Sequence, residues 1–458
     1  MLITFLISAS IGLMQNPASR ASISPVPQAE SSEREVAADA RRPTVAALAF
    51  AGFNDRGEAR LSVDRDAVRR LQEQGEAIVH VGLPHGEVLT LDLDRFEVIA
   101  PDARIRIAGK AGESAGATPN IVFLRGRVAG EPQSHAYLAL NADDPSKGLG
   151  TIQRQTGEQW HIGSDRSGQA PSMLIRRGAG NLPDFDHFCS MIPLDAVAGG
   201  AGGDGGLAGS AFAESAGPRV LNVAVDSDQR YWNLFGDDQD AIDYIAMVIG
   251  AVSDIYIRDL NMRIALRLTR IWPAGGEPFI ASSLSGFRDH WQENEDMDGI
   301  NLVHMFSGAR DTSYGGVAYL TNACTGNGFG ISAFLLGGFD SPIGPPNLGN
   351  WDVVVVAHEM GHNLGTPHTH DLDPPIDSCA TGTLARGTIM SYCHTLQGGL
   401  LNTDMHMHRV IEDIIIAANP VTPENCLWHD CNGNLINDVE DIVFATSLDA
   451  NSDGIPDE

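Results

Sequence analysis

Lysine is almost absent from this chain: Lys110 and Lys147 are the only two, and arginine carries nearly all the positive charge. Lys and Arg total 30 against 59 Asp and Glu, a net charge of −29. That balance excludes nucleic acid as the main partner, because phosphate recognition needs clustered cations. Long apolar runs are also missing. After residues 2–14 (LITFLISASIGLM) no stretch reaches spanning length, so no stable membrane span is expected. The 2–14 stretch lacks a basic flank but has the length of a signal-peptide core. Residues 1–24 are therefore read as a signal peptide and the protein as secreted. Cysteine is sparse, at Cys189, Cys324, Cys379, Cys393, Cys426 and Cys431, a set that fits an oxidising compartment without fixing its pairing.

What is present suffices for packed cores. Hydrophobic residues make up 43% of the 458, which excludes wholesale disorder and suggests about two to four domains. Residues 40–195 read as a β-rich domain, with short alternating runs at Val88–Leu93, Arg104–Ile107 and Ala136–Leu140 between Gly, Asp and Pro turns. Residues 196–217 include the stretch AGGAGGDGGLAGS, a linker by composition and a domain boundary. Beyond it the pattern becomes mixed α/β. Leu221, Val223 and Val225 alternate as in a strand, and Ile242, Ile245, Ile249, Val252 and Tyr256 follow helical spacing. Met262, Ile264, Leu266 and Leu268 alternate again, and Asn301–Phe306 and Gly316–Leu320 read as further strands.

Residues 358–368 read HEMGHNLGTPH. On a helix, His358 and His362 project from one face, one turn apart, so that two imidazoles can grip one ion. Glu359 beside them can reach a water on that ion. Gly365 is the residue type that ends a helix through a left-handed turn, after which His368 can supply a third ligand. Three protein ligands and a water describe catalytic zinc, whereas structural zinc usually has four. His, Glu, His, Gly and His at five fixed places arise by chance on the order of once in ten thousand such chains. Against the pattern, Val353–Val356 is a β-branched run where helix propensity is poor.

These residues resemble the extended zinc signature HExxHxxGxxH of the metzincin metalloproteases. Gly387–Cys393 (GTIMSYC) is similar to their Met-turn, with Met390 as the methionine beneath the metal. Gly316–Tyr319 (GVAY) resembles the substrate-binding edge strand of the adamalysin/reprolysin branch, and 218–425 has that branch's order of elements. The resemblance implies an α/β catalytic domain with a twisted, mostly parallel mixed sheet and an active-site helix, preceded by a β-rich propeptide. It implies zinc-dependent hydrolysis of peptide bonds in protein or peptide substrates, with Glu359 as general base. Two departures stand out. Thr369 and His370 intervene before Asp371, and His370 could compete with His368 as a ligand. Tyr392, two residues after Met390, is more like the serralysin and astacin branches, where such a tyrosine stabilises the oxyanion.

The resemblance further implies disulfides Cys379–Cys393 and Cys324–Cys426. Cys189, at the end of the propeptide, could hold the precursor latent as a thiolate on zinc; Asp184 or Asp186 could do so instead. In the tail, 426–458, the run DCNGNLINDVED puts oxygen side chains at calcium-loop positions: Asp430, Asn432, Asn434, Asp438 and Asp441. Asp449, Asn451, Asp453 and Asp457 begin a second loop. The pair resembles dockerin-like and thrombospondin type 3 repeats. The competing function is a calcium-dependent extracellular adhesion protein with a vestigial zinc site, and a thermolysin-like zinc hydrolase is disfavoured by His368. Substrate preference and oligomeric state are not legible at this level.

Overall fold

Alternating apolar and polar residues build the first region from strands. These are β1 (Thr44–Phe53), β2 (Ala59–Val63), β3 (Glu76–Gly82), β4 (Val88–Phe96), β5 (Ile99–Gly109), β6 (Gly112–Ala115), β7 (Ile121–Val128), β8 (His135–Asn141), β9 (Gly148–Gln153), β10 (Gln159–Ser164) and β11 (Met173–Arg177). One helix, α1 (Arg65–Glu73), interrupts them, its first turn capped by the Asp64 carboxylate. Every strand but β5 and β6 joins a closed barrel in the order β1-β2-β11-β10-β9-β8-β7-β4-β3, sealed by parallel pairing of β1 with β3. Val79, Leu91, Leu124, Leu138 and Ile162 fill its interior. Closure leaves no open edge.

The computed structural model describes residues 44–55, 57–110, 112–165, 172–177, 187–193, 217–338, 351–377, 379, 386–396, 399–421, 426–444, 446–449 and 456. The signal-peptide stretch, the glycine-rich stretch 198–210, Asp184, Asp186, Asn451, Asp453 and Asp457 lie outside the described residues. Among the described residues no helix is long and apolar enough to cross a membrane.

A second sheet runs in the order β12-β16-β17-β15-β13-β14-β5-β6. Its new members are β12 (His187–Pro193), β13 (Arg219–Ser227), β14 (Met262–Ile271), β15 (Leu302–Phe306), β16 (Tyr314–Leu320) and β17 (Gly328–Ser332), while β18 (Trp428–His429) pairs with β13. Strand β13 is buried at every position, as expected of a central strand in a parallel sheet covered on both faces. The strand expected at Arg104–Ile107 forms as part of β5, but it pairs in parallel with β14 rather than with the barrel. Strand β12 pairs in parallel with β16, which itself runs antiparallel to β17. Both margins of this sheet are thus made by residues that precede the glycine-rich stretch.

Besides the single turn Gln229–Trp232, the later helices among the described residues are α2 (Asp238–Leu260), α3 (Leu284–Asn294), α4 (Trp351–Asn363), α5 (Arg409–Ala418) and α6 (Asp438–Val443). Helix α2 starts at Asp237, whose carboxylate accepts from the Asp240 amide at 3.0 Å, and ends at Asn261 in the left-handed conformation. Helix α4 carries the valine run Val353–Val356. Every residue of α4 is buried, and this burial offsets the poor helix propensity of its β-branched side chains.

Candidate metal centre

Helix α4 aims His358 and His362 the same way because they are four residues apart. The helix then stops. Gly365 takes φ +96°, and the Gly365 amide donates to the His362 carbonyl at 3.0 Å. A side chain there would be strained and would also press on Ala418 and the Thr321 carbonyl at 3.1 Å. The turn brings His368 back to the helix, and the Nε2 atoms of His358 and His368 each lie 3.2 Å from Nε2 of His362.

The outer nitrogens explain why the inner ones converge. Nδ1 of His358 meets the Ile389 carbonyl at 2.8 Å, Nδ1 of His362 the Thr366 carbonyl at 2.7 Å, and Nδ1 of His368 the Asp371 carboxylate at 2.9 Å. Each acceptor fixes a proton on Nδ1 and leaves Nε2 with a free lone pair facing the centre. Burial, and then the neighbouring imidazoles, hold His358 far below the usual histidine range and His362 at about 3. Neutral imidazole is the ligating form. Three converging neutral donors in a dry site fit a zinc ion.

Cys189 of β12 completes the cluster: its thiol and the three imidazoles offer ligand atoms that all lie within 4.8 Å of one another. Its Sγ lies 3.3 Å from Nε2 of His362 and 3.4 Å from Oε2 of Glu359, to which it donates. Burial, followed by the Glu359 carboxyl, pushes the thiol up. Glu359 is itself wholly buried, which drives its carboxyl far above the usual range, and its Oε1 has no hydrogen-bond partner. Tyr392 donates from its hydroxyl to the Cys189 carbonyl at 3.1 Å, and its ring centre lies 4.6 Å from that of His368. Met390 is fully buried, and its carbonyl accepts from the Thr369 amide at 3.0 Å.

His370 stacks on His368 with ring centres 5.1 Å apart, but stands outside the four-residue cluster. Phe188 had no sequence motif to reveal it, whereas Asp371 was in view only as a displaced residue. Phe188 wedges between His358 and His394, with ring centres 4.6 and 3.8 Å away. Asp371 orients His368 from three residues on, despite its displacement from the reprolysin position. The disulfides Cys324–Cys426 and Cys379–Cys393 are both formed, with Cys189 and Cys431 free.

The tail positions fall elsewhere. Asn432 and Asn434 each donate an amide hydrogen to Asp441, at 3.1 and 2.9 Å. Asp430 is buried and accepts from the amides of Gly433, Asn434 and Leu435. Asp438 instead accepts from the Cys431 amide at 2.9 Å.

Three histidines with a fourth donor poised beside them are a donor set that could hold one zinc ion. Residues 217–404 match the reprolysin model described as Metallo-peptidase family M12. That segment is a reprolysin-like metallopeptidase domain of family M12, a family of zinc peptidases. No curated protein matches the chain. Solved structures that align with it include metalloproteinase-II from Bacteroides fragilis, at 12% identity over 77% of this chain and 95% of that one, with a TM-score of 0.43. Archaemetzincin from Methanopyrus kandleri aligns at 11% identity over 43% of this chain and 94% of that one, with a TM-score of 0.27. Scores this low lend no weight to the assignment, which rests on the family match.

Proposed function

We propose that this protein is a secreted metzincin-type zinc endopeptidase, made as a precursor that Cys189 keeps silent. His358, His362 and His368 would hold the zinc. Bound there, zinc supplies Lewis acidity, polarising a carbonyl and making a water more acidic. Glu359 takes the proton of the attacking water and delivers it to the leaving amine. Tyr392, once its hydroxyl is free of the Cys189 carbonyl, donates to the oxyanion. Met390 packs beneath the imidazoles, in the position of a Met-turn. Residues 40–195 act as the propeptide, 196–217 as the linker to be cut, and 218–425 as the catalytic domain.

The observation that carries this reading is the place of the Cys189 thiol among the three imidazoles and against Glu359. A thiolate there would take the position that water needs. Strand β12 also lies along β16, where an extended substrate would add its own strand. The two disulfides are in keeping with secretion. An adhesion protein with a vestigial site is not favoured, since such a protein has no use for a buried base beside three ligands. In the tail, the reading of 430–441 as a calcium loop, with Asp449 left for a second loop, rests on the spacing of its oxygen side chains alone.

One experiment tests both halves. Glu359→Gln in the activated enzyme should abolish peptide hydrolysis while zinc stays at about one per chain, because the ligands remain. Cys189→Ser in the uncut precursor should raise activity markedly. Turnover by the zinc-loaded Glu359→Gln protein sinks the mechanism, and continued silence of Cys189→Ser sinks the latency.

A further inference from the structure

Helix α2 is buried on every side, which a helix covering one face of a sheet is not. One side packs on β14 of the second sheet. The other side meets the barrel, along positions 240, 243, 247, 250 and 254, whose spacing marks a single helix face. Asp240 pairs with Lys147. Asp243 accepts from Asn141 at 2.5 Å, and the Met247 carbonyl from the Tyr137 hydroxyl at 2.6 Å. Asp254 accepts from Arg125 at 2.8 Å and pairs with His135. Where Phe123 and Tyr137 come closest the helix has Gly250, and a Cβ there would lie 2.7 Å from the Phe123 ring.

The barrel is built to present that surface. Along β7 and β8, Val122, Leu124, Leu138 and Leu140 fill the barrel interior, while Phe123, Tyr137 and Ala139 join the core around α2. At the far margin β5 lends its backbone to β14, from Leu268 opposite Arg104 to Ile271 opposite Ile107. Glu113 of β6 reaches the buried Arg270 guanidinium at 3.1 Å, and Arg106 of β5 reaches Glu295 at 3.0 Å. Loss of the barrel with its β5–β6 extension would open the edge of β14, an aggregation hazard, and would strip the buried Asp243 and Asp254 of α2 of the Asn141, Arg125 and His135 partners that hold them. Strand β12 is different: its backbone ladder is with β16 alone among the described residues.

We infer that the barrel is a permanent partner of the metallopeptidase domain, and that activation withdraws only β12. The N-terminal region would then be two devices: a detachable inhibitory strand, and a barrel that covers α2 while its β5–β6 extension completes the sheet in the working enzyme. This inference rests on the reading of β12 as the inhibitory strand, and it narrows the removable part of the 40–195 propeptide to that strand.

The test uses the full chain with cleavage sites inserted within 178–186 and within 198–210, so that cutting frees β12 from both neighbours. After cutting, the barrel fragment should co-elute one-to-one with the zinc-bearing fragment on size exclusion at physiological salt, and the complex should hydrolyse peptides. Hydrogen exchange at the β14 amides facing β5 should stay within about threefold of the uncut chain. A zinc-bearing fragment that elutes alone, folded and active, overturns the inference. So does a complex that gains activity only after the barrel is stripped away, or exchange at β14 more than 100-fold faster. Gly250→Leu is the matching variant. Leucine favours an isolated helix over glycine, yet it should drive the cut barrel off α2; retention of the barrel by that variant counts against the interface. If the uncut chain is already as active as the cut one, the latency reading fails, while co-elution still decides the fate of the barrel.

Discussion

At the scale of single residues, the proposed mechanism has Tyr392 linking silence to catalysis. Its hydroxyl donates to the Cys189 carbonyl, and its ring lies against His368, so withdrawal of β12 would leave the hydroxyl pointing at the cleft. Burial, and then the nearby Cys189 and Glu359, push this phenol up, so the hydroxyl keeps its proton and remains a donor. Tyr392→Phe deletes only that donor. In the activated enzyme kcat should fall roughly 10- to 1000-fold, with a smaller effect on KM, as steady-state kinetics would report. An unchanged kcat would make Tyr392 a packing residue. The three histidines were legible because two lie one helical turn apart and the third follows a glycine stop. Phe188 was not, because an aromatic ring beside a cysteine carries no spacing signal; only the fold of β12 against β16 brings it to the imidazoles.

Among the elements, the loop leading into α6 carries its own expectation. Its oxygen side chains sit at alternate positions, and Asp441 gathers Asn432 and Asn434 although no cation is needed to hold them. Asp430 is already engaged by three backbone amides, with Arg263 at 3.7 Å. Calcium would therefore have to turn the two side-chain amides over and displace part of this network. If 430–441 is a calcium loop, titration calorimetry on the full chain should show binding below about millimolar calcium, and Asp441→Ala should abolish that heat. Identical isotherms for the two proteins would leave a solvated acidic loop. Helix α4 teaches a related lesson. Its four consecutive valines argue for a strand by propensity, and the element is a helix because packing on all sides outweighs a few tenths of a kcal/mol per residue, about the scale on which propensities differ.

For the molecule as a whole, the net charge of −29 makes crowded carboxylates a recurring cost. Glu412 on α5 is one: burial, and then Asp259 and Asp413, push it up to about 7 against the opposing pull of Arg258 and Arg409. A carboxyl raised in the folded state contributes most below its ordinary value near 4.5, and that contribution is lost as pH rises through about 7. Glu412→Gln should therefore melt above the parent at pH 8 and match it at pH 4.5. A gap in Tm that does not close on acidification would rule out charge as the cause. By itself the sequence picked out the three histidines that cluster, Glu359 beside them, the left-handed stop at Gly365 and most strands, since each depends on spacing within a few residues. Tertiary structure alone decided that β5 leaves its neighbours for β14, that Cys189 enters the metal cluster, and that α2 is covered on both sides. Those outcomes join residues 100 or more positions apart through shared edges and faces, and local periodicity holds no record of which edge meets which.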